Sequence, residues 1–403
     1  MNNLWGRITR RITRWLFIPF TILFLSACQA QISLVEVTRE VEVTRPIVVE
    51  ATVEVTRELQ VTREVPVEVE VTRLVELDEL PTPAAVGSPE RPIQLLFLPT
   101  DDSRVVEVRG GLLVDALQEA TGYTFELVVP PDDESAIAAV CEAPRETIAF
   151  LTPQAYVQAA AECEVQISHA ALRFDVPYTL GMVIARSDQS LTSLTDLNDK
   201  IVAVSDTAAW ATYRLLAAEW EASGITPAEV REVGSDSAAL LAVLEGEVDA
   251  ATAVFNPPIL PRNERTWVYG VDDPEIWRDA DVAPRRNPFG YIDVLASPAN
   301  GGYRIRDVRA ALFDTHPEVF DETEIIALSE PWPNEALVFG SEFPLVPYQQ
   351  IQQALESFLN SEACAQALCA SDFYQWTGIT PITADFYDLV SVQLEIESTE
   401  EEE

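Results

Sequence analysis

The sequence predicts an α/β protein built from mostly parallel sheets flanked by helices, and three observations carry that prediction. From Pro92 onward, short apolar strand-like runs alternate with longer amphipathic runs of helical period. The runs are punctuated by Gly, Pro, Asp and Ser, the residues of strand-to-helix turns. The chain has 403 residues with 48% hydrophobic content, enough to bury more than one core.

The first 27 residues stand apart from this pattern. Arg7, Arg10, Arg11 and Arg14 come without an acidic residue and are followed by an apolar run from Trp15 to Ala27. That run is shorter than the ~20 residues a helix needs to span a bilayer and has the length of an export-signal core. It ends in Leu25-Ser26-Ala27-Cys28, which resembles the bacterial lipobox, where the cysteine is lipidated and becomes the new N-terminus. The expected location is the extracytoplasmic face of the cell membrane, with a lipid anchor on Cys28.

Residues 28–91 form a repeat segment in which Val-Thr-Arg recurs at 37–39, 43–45, 55–57, 61–63 and 71–73. This density of β-branched residues disfavours helix, and Pro46 and Pro66 interrupt any long ladder. Two readings stay open: an extended tether kept soluble by alternating Glu and Arg, or a self-associating β-stalk. The tether is favoured, because a strand with no evident partner buries too little to hold itself. About 60 residues at ~3.3 Å each would reach up to ~200 Å from the membrane.

The elements then follow in order. "IQLLFL" (93–98) is a buried strand, "GLLVDALQEATG" (111–122) a helix stopped by Gly122, and "YTFELVV" a second strand. "ESAIAAVCEA" reads as helix, "TIAFLT" (147–152) as strand and "PQAYVQAAAEC" as helix, completing a βαβαβ opening. Ligands on such sheets bind beyond the carboxyl ends of the strands, which nominates Thr100–Ser103, Asp132–Ser135 and Thr152. A second unit runs from the strand "YTLGMVIAR" (178–186) through "IVAV" and its helix to about Ala222, the helix "SDSAALLAVLEGE" and the strand "VDAATAV". From Pro257 to about Tyr303 periodicity is weak; "IIALSE" restores a strand and "YQQIQQALESFLNSEA" a helix. The closing acidic residues, 391–403, are expected to be disordered.

Charge and cysteines narrow the function. With 66 acidic against 26 basic side chains and a single lysine, Lys200, the chain carries a formal charge of −40, and no basic patch for nucleic acid is visible. Cys28 aside, four cysteines remain. Three pairings are possible, and sequence neighbourhood favours Cys141 with Cys163 and Cys364 with Cys369. Without a CxxC, and with only His169 and His316, neither a metal site nor a nucleophile–base pair can be argued, so no cofactor and no enzyme activity are expected.

Four strings carry a family resemblance. "LTSLTDLNDKIVAV" (191–204) is similar to an L-x-D-L-x-G-K-x-V-A-F run, with Asp199 in the glycine position; "VGSDSAALLAVLEGEVDAATA" (233–253) follows the same pattern onward. "PWPNEALVF" (331–339) is similar to an I-P-N-D-x-x-V segment, and "WTGITPITADFYDLV" resembles the same proteins' closing helix entry. These proteins are the phosphate/phosphite/phosphonate-binding components of ABC importers, with the two-lobed type II periplasmic-binding-protein-like fold. The resemblance implies that each lobe is a mostly parallel sheet flanked by helices. Lobe one would be 92–178 and 332–390, lobe two 179–331, closing on a small-molecule solute by hinge motion and presenting it to a membrane ABC permease. A monomer is expected.

The stretch "VAVSDTAAWATYRLL" (202–216) departs from that family. Its pattern there is roughly D-P-x-S-T-S-G-Y; Asp206 and Tyr213 agree, while Ala209, Trp210, Ala211 and Thr212 replace Ser, Thr, Ser and Gly. Hydroxyls at such a helix entrance donate to phosphate oxygens alongside free backbone N–H groups, and here they are largely gone. Trp210 either packs between helix and sheet or forms a flat wall for an organic ligand. Asp206 is either a turn residue or an acceptor for a ligand amine. Thr207, Thr212, Tyr213, Tyr178 and Ser235 complete the candidate contacts; Asp249 joins them, though a hinge or sheet-edge carboxylate is the commoner role for its position. The expected function is a solute receptor of an ABC importer for phosphonate, phosphite or phosphate. The alternative is a sensory or orphan receptor for another small organic solute, such as a sulfonate, amine or amino-acid-like molecule.

Overall fold

The computed structural model describes residues 83–97, 103–297, 301–371 and 373–400. Cys28, the repeat segment up to residue 82, and Thr100 lie outside them. The chain opens with β1 (Ile93–Phe97), α1 (Ser103–Thr121), β2 (Phe125–Val128), α2 (Asp133–Glu142), β3 (Thr147–Leu151), α3 (Pro153–Cys163) and β4 (Gln166–Arg173). It then builds a second sheet from β5 (Tyr178–Arg186), β6 (Ile201–Val204), α4 (Leu215–Ala222), β7 (Glu229–Glu232), α5 (Asp236–Leu244) and β8 (Ala250–Phe255). A three-stranded antiparallel sheet follows, β9 (Arg285–Arg286), β10 (Ile292–Ser297) and β11 (Gly301–Ile305). β12 (Thr323–Leu328) and β13 (Trp332–Pro333) return along β5, and β14 (Ala336–Phe339) re-enters the first sheet. The chain ends in α6 (Leu345–Leu359), β15 (Trp376–Pro381) and α7 (Asp388–Glu400).

The strand orders are β15-β4-β14-β3-β1-β2 and β12-β5-β8-β6-β7. Each sheet has a parallel trio: β1 lies between β2 and β3, and β6 between β7 and β8. Against each trio runs one antiparallel strand that follows a crossover, β14 in the first sheet and β5 in the second. This is the two-lobed α/β fold, and its lobes are joined by the crossovers β4–β5 and β12–β14.

Local chemistry sets these elements. β3 is buried at all five positions because helices cover both faces of its sheet. Asp132 caps α2, accepting from the Ser135 N–H at 2.8 Å; Thr152 caps α3, with Pro153 in the first turn. Disulfides join Cys141 to Cys163, between the ends of α2 and α3, and Cys364 to Cys369. Asp199 has φ = 57°, so the turn into β6 needs the left-handed conformation for which the resembled proteins use glycine. In the second lobe Arg309 is fully buried, donating to Asp307 and Glu275 beside the Trp277 and Phe320 rings.

Four elements differ from expectation. α1 starts at Ser103, eight residues before Gly111, with Val106 buried in its added turns. β4 lies outside the strands the sequence predicts and is an inner strand between β14 and β15. The weakly periodic stretch contains the β10–β11 hairpin, whose Ile292, Val294 and Ile305 pack under α5 with Leu240 and Val243. The acidic end, expected to be disordered, continues as α7 to Glu400, because Val390 is buried and Leu389 and Leu394 pack on the α3 side of the first core.

Candidate functional site

The carboxyl ends of both parallel trios point toward the crossovers, and there the lobes are tied by one buried side chain. Asn334, 2% exposed, donates from Nδ2 to the Ala171 and Val176 carbonyls at 3.0 and 3.1 Å, and its Oδ1 accepts from Thr179 Oγ1 at 2.8 Å. Its own backbone N–H reaches the Pro177 carbonyl at 2.9 Å, and its carbonyl accepts from the Tyr387 hydroxyl at 2.8 Å. Burial, reinforced by Glu335, holds that hydroxyl far above the usual tyrosine range, so it stays a donor. Asn334 thus joins both crossovers and the closing segment of lobe one.

On lobe two, the turn after β6 leads into a π-helical turn, Trp210–Arg214, that runs on into α4. The Ala209 carbonyl accepts from both Tyr213 N–H (3.1 Å) and Arg214 N–H (3.0 Å), which widens the turn. It lies directly on β5: a Cβ at Gly181 would come within 2.0 Å of the Ala211 carbonyl oxygen, so only glycine fits there. Trp210 reaches across to the crossover and stacks on Trp332, with ring centroids 4.5 Å apart and planes 5° from parallel. The Arg214 guanidinium lies 5.0 Å from the Trp210 ring. Trp210, Trp332, Ala211 and Leu215 belong to the same apolar cluster as Tyr156 and Tyr387 of lobe one.

Most of the nominated hydroxyls and carboxylates are engaged within the protein. Thr152 Oγ1 donates to Asp133 at 2.7 Å while capping α3, and Ser235 caps α5. Thr207 donates to Glu232 at 2.7 Å, and Asp206 accepts from the Ala208 N–H at 2.8 Å, as a turn residue does. Thr212 is buried in the π-turn, and its hydroxyl has no hydrogen-bond partner among the described residues. Tyr213 packs edge-on against Trp220. Ser103 is the first residue of α1. Tyr178, its hydroxyl raised above the usual range chiefly by burial, lines a groove beside the crossovers.

Asp249 lies apart from this turn. It accepts from the Ile201 N–H at 2.9 Å and lies 3.8 Å from Lys200, at the amino-terminal end of β6. Because β6 and β8 run parallel, that end is a strand length, ~13 Å, from the Asp206 turn. The carboxylate secures a strand start, away from the other candidates.

Sequence reasoning missed Trp332, Asn334, Arg173 and Glu335. The string "PWPNEALVF" contained three of them, and its tryptophan between two prolines was the available signal. Among the described residues no group of three or more His, Cys, Asp or Glu side chains is placed to hold a metal ion, and no helix is long and apolar enough to cross a membrane.

A family model described as the periplasmic substrate-binding protein of a phosphonate ABC transporter matches residues 95–387. No curated protein matches the chain. Among solved structures, a binding-protein component of an ABC phosphonate transporter from Pseudomonas aeruginosa is 14% identical, covering 76% of this chain and 86% of its own, with a TM-score of 0.39. A methylphosphonate-bound protein from Prochlorococcus marinus is 11% identical over 76% of this chain and 98% of its own, TM-score 0.42. The aliphatic sulphonate-binding protein of Escherichia coli is 14% identical over 77% and 91%, TM-score 0.34.

Proposed function

This chain belongs to the family of periplasmic substrate-binding proteins of phosphonate ABC transporters, and from that premise we propose that it is a lipid-anchored receptor whose solute is an organic molecule other than a simple phosphorus oxyanion. Proteins of this family are transport components and not enzymes; they bind small solutes and work with membrane permeases. The lipid on Cys28 and the tether over 28–91 would let the receptor, with lobe one at 92–178 and 332–390 and lobe two at 179–331, range from the membrane while staying near a permease.

One observation carries the choice of solute. The entrance turn that would meet a phosphonate head presents Ala209, Trp210 and Ala211; the Thr212 hydroxyl is buried and the Thr207 hydroxyl is donated to Glu232. Losing two or three hydrogen bonds to a charged head, at ~1.5–3 kcal/mol each, lowers affinity by at least about a hundredfold. Trp210, half-buried and stacked on the buried Trp332, stands at the same entrance and would meet the organic part of a solute. Thr152, Tyr178, Asp206, Thr207 and Tyr213 remain as the polar rim of the proposed cleft.

A thermal-shift screen tests this. Phosphate, phosphite and methylphosphonate at 1 mM should leave the melting temperature unchanged, while at least one organic sulfonate, amine or amino acid raises it. A clear rise with methylphosphonate would overturn the reading. Separately, Cys28→Ser should release the protein from the membrane fraction; continued retention would contradict the lipid anchor.

A further inference from the structure

A groove of ≈ 520 Å³ runs from the helix entrance along α4, and its other wall is α7. That volume is in the range of small-molecule sites. The entrance turn itself opens the groove: Thr207, Trp210 and Tyr213, all nominated from sequence, line it. Gln393 and Ile396 line it from α7. α7 is rooted in the first lobe, where Val390 is buried and Leu394 packs with Tyr156 and Tyr387. The groove therefore takes one wall from each lobe, the arrangement by which a two-lobed receptor closes on its solute.

Two opposite charges line the α4 side of this groove, Arg214 and Glu221. Seven residues along one continuous helix put them on the same face, two turns or ~10 Å apart. Ala217 and Ala218 lie between them, and their small side chains leave the space that the groove occupies. The Arg214 guanidinium, a planar fork of N–H donors, lies against the Trp210 ring at 5.0 Å. Glu221 is exposed, and its carboxylate has no partner among the described residues. A lone anion entering here would meet Glu221 and a chain of charge −40. A lone cation would meet Arg214. A long molecule with one charge of each sign at its ends complements both.

We propose that this groove is the solute site of the receptor and takes an elongated zwitterion of the ω-amino-acid type, its carboxylate on the Arg214 guanidinium and its ammonium on the Glu221 carboxylate. The methylene chain lies along Ala217 and Ala218. Ile396, 43% exposed, is the apolar side chain that those methylenes cover from the α7 side. The assignment rests on the receptor reading above and names the substrate class of that same entrance.

The test is isothermal titration of the full chain with 8-aminooctanoate, octanoate and octylamine. Extended, the amino acid is long enough to span two helical turns. It should bind at least about tenfold more tightly than either singly charged analogue, the margin of one charge-assisted contact. Glu221→Gln should erase its advantage over octanoate, and Arg214→Gln its advantage over octylamine. Ala218→Phe keeps both charges and fills the groove, so it should abolish binding; melting curves verify that the variants fold. The comparison of analogues on the natural chain needs no variant. Equal binding of the amino acid and either analogue would overturn the proposal, as would undiminished binding by folded Ala218→Phe. So would silence from all three probes; if another organic solute then binds, the receptor reading stands alone, and if none does, both fall.

Discussion

Replacing Asn334 by alanine removes a buried side chain that joins both crossovers. Three hydrogen bonds are lost, to the Ala171 and Val176 carbonyls and from the Thr179 hydroxyl. At ~1 kcal/mol net for each bond, plus a desolvation penalty for carbonyls left unpaired, the loss should be ~3–5 kcal/mol. Its backbone bonds to Pro177 and Tyr387 survive the substitution, so the topology should persist. At roughly 2 °C per kcal/mol for a unit of this size, the melting temperature should fall by ~6–10 °C. Asn334→Asp keeps the shape but turns an acceptor toward two carbonyls, and should be no less damaging. Differential scanning calorimetry of both variants checks the account. A loss below ~1 kcal/mol in both would refute the claim that this amide holds the crossovers, since it would mean that solvent replaces the bonds at little cost.

Gly181→Ala forces a Cβ against the Ala211 carbonyl oxygen; it should cost ~1–3 kcal/mol by overpacking and weaken the near-ultraviolet circular dichroism of the Trp210–Trp332 stack. An unchanged spectrum would contradict the tight seating of the π-turn. Arg309→Met leaves Asp307 buried without its cation and Glu275 with Arg278 alone, and should destabilise by ~3–5 kcal/mol in chemical denaturation; a change under ~1 kcal/mol would count against the cluster. Burial pushes His169 below its ordinary 6.5, and Glu356 offsets only part of that. The unfolded chain therefore binds this proton first, so stability should decline as pH falls from about 6.5 toward the depressed folded value. His169→Gln should flatten that slope between pH 7.5 and 5.5, and an identical slope would exclude His169 as its source.

The fold was legible where local chemistry decides it. Buried runs such as "TIAFLT" and the helix stop at Gly122 are settled by residues within a few positions of one another, whereas Thr152, nominated as a ligand contact, serves as the cap of α3. β4 was illegible because Ser168 and His169 break its apolar pattern; they bond to each other, and α6 completes them through Gln352 and Glu356. The crossover clasp could not be read either: Asn334 acts through partners 155 to 163 residues away. The entrance turn was read for what it lacks, its hydroxyls. That Trp210 would be matched by Trp332 depends on how the chain returns along β5. Which end of the parallel sheet Asp249 marks depends on the pairing of β6 with β8, which its sequence neighbourhood does not show.

The most direct measurement is the chemical identity of the solute carried by the full chain, released by denaturation after purification and analysed by mass spectrometry together with a phosphorus determination. The account predicts a phosphorus-free organic solute that approaches one molecule per chain. Stoichiometric phosphate, phosphite or phosphonate would contradict it.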